Sequence, residues 1–561
     1  MNDRKEQLLN EEYRLNEKTV VIQSKEELMS FIIDILEIGD NMDSEEQLYN
    51  DRSYRILFDL LNKMGRISIA IEEKYVDKTY RDSYYIYFSC KHEEYSRFCK
   101  RIFIFLGDVF EESKTDKFSE LDVEKLQKRF IGVVVIRPLR DGKIGRSLIN
   151  PYFVLDPHNT YLRYAKYSVT IYGMRLQINA FPYSMQDGET TRCAEITILN
   201  LMDYFSRKYS EYKIILPSEI VQIAGEKGFE RVLPSQGLKY PVISRIFSEA
   251  GFCPRIYEKN ELTDTSLFKR IMHYYVESGI PIAVGMNVDE KCKHSIICIG
   301  HGKINYGEIG KKIYAVYDAT NGNHVWIIDS ADLCSDYIVM DDGRIPYENL
   351  EWKLKKQKKE SETFELKQKK EYLLGDYEPE VLMVPLYKRM FLEAQDAYDI
   401  CTLALASKIV GIQRFYSEKG TRSNPMIIRL FMCSSRNYKH QRISNLQKEN
   451  GEIGEIYKEL RLPRFIWVCE VYDENGYKEG NASGEIVIDA TAAPYDGIKN
   501  VVLFHYPYYI WACNKNIENL YDKNEGFRQL HQWKEFKGYD HNLFPPEKIV
   551  KNIKKNNLKE G

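Results

Sequence analysis

Apolar residues recur at helical spacing over residues 20–63. In SKEELMSFIIDILEIGD, Ser24 followed three positions later by Glu27 has the form of a capping box. Asp43-Ser44-Glu45-Glu46 opens a second helix with Tyr49, Leu57, Leu60 and Leu61 as apolar positions. The pattern then shortens to alternating or continuous apolar runs. RISIAIEEKY, DSYYIYFSC, RIFIFLGDVF and Gly132–Ile136 predict strands. SVTIYGMRLQINAF predicts a hairpin around Gly173. CAEITILNLMDYFSRKY is helical, with Ala194, Ile198, Leu201, Met202 and Phe205 on one face. Helices follow in LKYPVISRIFSEAG and over Phe268–Glu277, where Gly279 supplies the stop. IPIAVGMNV, HSIICIGHG and KKIYAVYDAT predict three neighbouring strands, and VWIIDSADLC continues their sheet. Beyond the charged stretch EWKLKKQKKESETFELKQKKEY come a helix around 388–410 and the strands IIRLFMC, RFIWVCEVY, GEIVIDAT and VVLFHYPYYIW. YDAT and IDAT each end an apolar strand, but no repeat of 20–50 residues accompanies them.

These elements predict an α+β, multidomain chain. The boundaries fall at an N-terminal α+β domain (1–165), a middle domain of helix plus antiparallel sheet (166–348), a charged linker or helix (349–375) and a C-terminal α+β domain with a basic tail (376–561). The 561 residues, 43% hydrophobic and 29% charged, suffice for a core in each domain. Lysine and arginine (80) nearly balance aspartate and glutamate (83), which argues against a protein built around nucleic acid or an anionic membrane. No apolar run reaches the roughly 18 residues of a membrane span, and MNDRKEQLLNEEYRLNEK has no apolar signal core. The 11 cysteines are scattered without a CxxC, which predicts reduced thiols in the cytoplasm.

One cysteine stands in a reactive context. Cys193 follows the polar loop PYSMQDGETTR and opens the amphipathic helix. Free N–H groups and the positive end of the helix dipole favour a thiolate there. Gln186, slightly upstream, can donate to an oxyanion together with the Cys193 backbone N–H. His294 opens an apolar strand and serves as base, and Asp318 ends the next predicted strand and serves as its orienter, with Asn321 or Asn323 as alternatives. Cys90-Lys-His92 and Cys292-Lys-His294 offer only two ligands each, so neither a metal nor a cofactor is expected. GxxxxGK[ST], GxSxG and HExxH motifs are missing from the sequence.

QDGETTRCAEITILNLMDYF, SGIPIAVGMNVDEKCKHSIICIGHG and YAVYDATNG resemble the papain-like cysteine peptidases, nearest to the branch that processes bacteriocin leaders. The resemblance covers about 168–335. It implies a papain-like middle domain in which Gln186 is the oxyanion donor, Cys193 the nucleophile, His294 the base and Asp318 the orienter. It further implies a cysteine protease, a hydrolase of peptide or isopeptide bonds in a protein or peptide substrate. The architecture, with two sizeable flanking domains that lack a catalytic signature of their own, predicts that those domains recognise a protein substrate or restrain the protease, as in a regulated effector with a regulatory protein partner. Transglutaminase-like acyltransferases or deamidases share the order Cys, His, Asp, but usually carry an aromatic residue after the Cys and the His, where this chain has Ala194 and Ser295. A catalytically silent papain-like scaffold is the non-enzymatic alternative.

Overall fold

The computed structural model describes residues 18–38, 45–111, 117–157, 160–226, 232–262, 265–287, 293–317, 324–352, 378–406, 420–449, 451–506, 509–512, 527–529, 535–540 and 542–546. The architecture is α+β, with several sheets stacked between helices. The first strands are β1 (Lys18–Ile22), β2 (Ile67–Tyr75), β3 (Cys99–Leu106), β4 (Phe130–Ile136) and β5 (Ser147–Ile149). They are followed by β6 (Tyr161–Leu162), the hairpin β7 (Ala165–Ile171) and β8 (Met174–Ala180), and β9 (Pro182–Tyr183). The N-terminal sheet has the order β1-β2-β3-β4-β5-β9, so its last strand comes from the loop that leads to Cys193.

The middle of the chain supplies β10 (Phe252–Glu258), β11 (Ile282–Asn287), β12 (Lys293–His301), β13 (Tyr314–Tyr317), β14 (His324–Asp329), β15 (Asp336–Met340) and β16 (Glu348–Glu351). Then come β17 (Glu378–Tyr387), β18 (Met426–Ser434), β19 (Phe465–Tyr472), β20 (Asn481–Ala482), β21 (Gly484–Asp489), β22 (Val501–Tyr506), β23 (Tyr509–Ala512) and β24 (Phe527–Gln529). A central sheet runs β10-β17-β11-β12-β15-β16, and a third runs β13-β14-β18-β19-β21-β22-β23-β24.

Period-two burial explains the stacking. Along β12, Ile297 and Ile299 face the core shared with the N-terminal sheet and the helix Cys193–Lys208. Ile296 and Cys298 face the opposite way, into a core shared with the helices Thr265–Glu277 and Ala394–Ala406 and one face of the third sheet. The other face of that sheet is covered around Tyr438 and Tyr457, from the helices Ser435–Glu449 and Gly451–Glu459.

Three expectations are corrected. DSYYIYFSC is not a strand: Lys78–Ile86 is an α-helix capped by Asp77, whose carboxylate accepts the Tyr80 N–H at 2.8 Å. Tyr80 and Ser83 turn inward at helical spacing, so the cap and packing override the aromatic strand propensity. The strands of HSIICIGHG and KKIYAVYDAT are not neighbours. β12 pairs with β11 and β15, whereas β13 pairs with β14 in the third sheet, because the strand DYIVM takes the place beside β12. Finally, the expected boundary at 348–376 is crossed in both directions. β17 lies between β10 and β11, and β14 runs parallel to β18. β17 fits an interior position because it is apolar on both faces, with Met383 in one core and Leu382, Val384 and Leu386 in the other. Residues 353–372 of the charged stretch lie outside the described residues, as does the C-terminal tail.

A fragment of residues 165–348 is therefore expected to show no cooperative thermal transition by circular dichroism, because β10 and β11 lose the strand between them. A sharp two-state melt of that fragment contradicts the interior placement of β17. Among the described residues, no helix is long and apolar enough to cross a membrane.

Candidate active site

Cys193 is the first residue of its helix, after Arg192 in extended conformation. The turn is fixed from both sides. Glu195 Oε2 accepts the Arg192 N–H at 3.2 Å, and its other oxygen accepts the Ser235 hydroxyl. Asp187 Oδ1 gathers the N–H groups of Glu189, Thr190 and Thr191 at 2.8, 2.7 and 2.9 Å. This leaves Cys193 half-buried at the helix N-terminus, a setting that suits a nucleophile. Most other described cysteines are buried, while Cys90 and Cys253 are exposed.

The helix body is buried over Ala194–Phe205, polar residues included, and each key polar group has a partner. Asp203 pairs with Arg146, at 2.6 Å from Nε, and the Asn200 side-chain oxygen accepts the Ser184 hydroxyl at 3.1 Å. Thr197, one turn in from Cys193, meets the Ser295 hydroxyl at 3.1 Å. That contact locks the helix to β12 beside His294, and Cys193 is near enough to help hold the charge on the His294 ring.

The other side of the ring meets an acidic pair. β15 is antiparallel to β12, with Met340 opposite Ile297, so the residues just past its end emerge beside His294. His294 Nε2 lies 2.9 Å from Asp341 Oδ1 and 3.7 Å from Asp342 Oδ1. Asp341 is held in place by the Gly343 N–H at 2.8 Å and by Arg344 Nε at 3.4 Å. Burial works against charge on the His294 ring, but the Asp341 carboxylate and its hydrogen bond, helped by Cys193, hold the ring well above the ordinary histidine value. Burial likewise opposes ionisation of Asp341, but His294 outweighs it and keeps that carboxyl below its usual range. Asp342 differs. Burial pushes it up to about 6, and among the described residues neither of its oxygens has a partner of good hydrogen-bond geometry.

Asp318, Asn321 and Asn323 lie outside the described residues. The adjacency expected to bring Asp318 to His294 is not formed, since β13 belongs to the third sheet. Asp341 and Asp342 were not singled out from the sequence. The signal available was an apolar stretch, DYIVM, ending in Asp-Asp-Gly, a turn sequence at a strand end.

Gln186 is half-buried on the same loop as Asp187. The N-terminal region grips this loop: buried Arg137 donates to the carbonyls of Met185, at 2.8 Å, and Gly142. Gly142 has φ +61°, and a methyl group there would overlap the Gln186 carbonyl oxygen, so the close approach requires glycine. A cleft of about 610 Å³ runs along the loop and reaches Gln186 and Arg192. Its walls carry charges of both signs, among them Arg52, Lys91, Glu93 and Arg140. One ligand atom from each of His294, Asp341 and Asp342 lies within 4.8 Å of the others. Of the two sequence pairs considered earlier, Cys292 lies outside the described residues.

No family model, curated protein or solved structure matches this chain.

Proposed function

We propose that this protein is a papain-type thiol hydrolase cleaving peptide or isopeptide bonds in a protein substrate. The observation that carries the reading is the His294 ring, 2.9 Å from a buried carboxylate of Asp341 and influenced by Cys193, which stands at the N-terminus of its helix. A nucleophile, a base and an orienter in that order are what acyl transfer by a thiol requires. With Nε2 engaged by Asp341, the other ring nitrogen is left for the thiol.

His294 takes the Cys193 proton, and the thiolate sulfur attacks the substrate carbonyl. The Cys193 backbone N–H and the Gln186 side-chain amide donate to the resulting oxyanion. The tetrahedral intermediate collapses as His294 protonates the leaving amine, giving a thioester on Cys193. Water, deprotonated by His294, then attacks the thioester and releases the acid and the free thiol. Asp341 stabilises the imidazolium at each stage. The cleft of mixed charge beside Gln186 supports an extended polar substrate such as a protein segment.

Mass spectrometry of a cell extract treated with the full chain is expected to yield new peptide N-termini that the Cys193→Ala variant does not yield. Amine crosslinks or deamidated glutamines without new termini place the protein among acyltransferases or deamidases instead. No Cys193-dependent product of any kind favours a scaffold.

A further inference from the structure

We infer that His294, Asp341 and Asp342 form a binding site for a divalent transition metal of the zinc class, on the side of the histidine ring away from the thiol. The elements for this are three ligand types that zinc accepts, one imidazole nitrogen and two carboxylates. Their spacing suits the ion. Zinc–nitrogen and zinc–oxygen bonds of about 2.0–2.1 Å put neighbouring ligand atoms of a tetrahedron about 3.3 Å apart. Nε2 stands 2.9 Å from Asp341 Oδ1 and 3.7 Å from Asp342 Oδ1, which brackets that separation.

Asp342 gives the second, independent indication. Its residue is only 5% exposed, and among the described residues neither carboxylate oxygen has a hydrogen-bond partner of good geometry. A buried acid left so is costly in a folded protein unless it serves a further purpose. The hydrolase chemistry uses one carboxylate on His294, and Asp341 supplies it. Asp342 is spare for that role, yet it stands 3.7 Å from the same ring nitrogen. A divalent cation between the three groups would satisfy it.

Binding is an exchange. The metal takes the ring position that carries the Nε2 proton, the proton leaves to solvent, and Asp341 turns from accepting a hydrogen bond to ligating. Two carboxylates and a neutral imidazole leave the bound ion formally neutralised, with water completing the tetrahedron. The ligand geometry and the burial of Asp342 stand without the hydrolase reading, and only the statement that Asp342 is spare draws on it. The inhibitory consequence of metal binding, loss of the protonated His294, rests on the hydrolase reading above.

The test titrates Zn²⁺ into the full chain against a chromophoric chelator at pH 7, with Co²⁺ as spectroscopic substitute. One zinc per chain is expected in wild type and in Cys193→Ser. Affinity should fall by about 10-fold or more in Asp342→Asn, as loss of a ligand requires. Bound Co²⁺ should show visible bands of a four-coordinate nitrogen–oxygen site and no thiolate charge-transfer band. Melting curves check that Asp342→Asn is folded. If it is not, His294→Gln takes its place with the same expected loss. Unchanged affinity in the folded ligand variant, failure of wild type to bind, or loss of binding in Cys193→Ser with a thiolate band in wild type each overturns the site. Absence of hydrolytic turnover leaves this readout intact, so failure of the two ideas is distinguishable.

Discussion

Iodoacetamide is expected to alkylate Cys193 at least ~10-fold faster than Cys90 or Cys253 of the same molecule near neutral pH. The comparison is internal, because Cys90 and Cys253 are more exposed than the half-buried Cys193. Accessibility alone predicts the opposite order. Only proton transfer to His294, assisted by the helix N-terminus, makes the less exposed thiol the faster one. In His294→Ala the advantage should disappear while Cys90 and Cys253 keep their rates. Peptide mapping by mass spectrometry after timed quenching reads all three sites together. Equal rates at the three cysteines in wild type remove the basis of the thiol-hydrolase reading.

Replacement of Asp341 by asparagine is expected to lower turnover by up to about 10⁴-fold, as when a catalytic histidine loses its carboxylate partner, and to remove most of the alkylation advantage of Cys193. Replacement of Asp318 is expected to leave both nearly unchanged. The reason is geometric: Asp341 Oδ1 is 2.9 Å from Nε2, whereas the strand leading to Asp318 sits in another sheet. The pH profile supplies a second readout with a defined sign. The Asp341 carboxylate raises the His294 value, so removing its charge lets the ring lose its proton at lower pH. The alkaline limb of the activity profile should therefore move toward lower pH in Asp341→Asn. A large loss in Asp318→Asn with an unchanged Asp341→Asn would reinstate the orienter expected from the sequence.

Local structure was legible wherever neighbours along the chain decide it. The Cys193 helix is signalled by its apolar face, and in the structure Glu195, whose carboxylate accepts from Arg192 three residues back, holds its start. The β7–β8 hairpin follows from alternation around Gly173, which adopts φ +81°. The helix Lys78–Ile86 escaped because aromatic residues fit a strand or the face of a helix equally well, and only the Asp77 cap and inward Tyr80 separate the two.

The positions of Cys193 and His294 in their elements were legible for the same reason. A cysteine at a helix start and a histidine at a strand start are local placements, and both are found where the sequence put them. The orienter is a different kind of question. It depends on which strand takes the place beside β12, and β13 and β15 are both short apolar strands followed by an aspartate. Order along the chain favours the nearer candidate. The sheet takes the farther one, as Met340, Val339, Ile338 and Tyr337 pair with β12 from Ile297 to His301.

By itself, then, the sequence determined most of the elements, the cysteine at a helix N-terminus and the histidine at a strand start, since helical and strand periods and caps act over a few residues. The tertiary structure alone decided that Asp341 and Asp342 meet His294, that β17 enters the central sheet and that the N-terminal region grips the Gln186 loop. Those contacts join residues distant in the chain through burial on both faces of a strand, and burial of that kind is a property of the assembled layers rather than of any one segment.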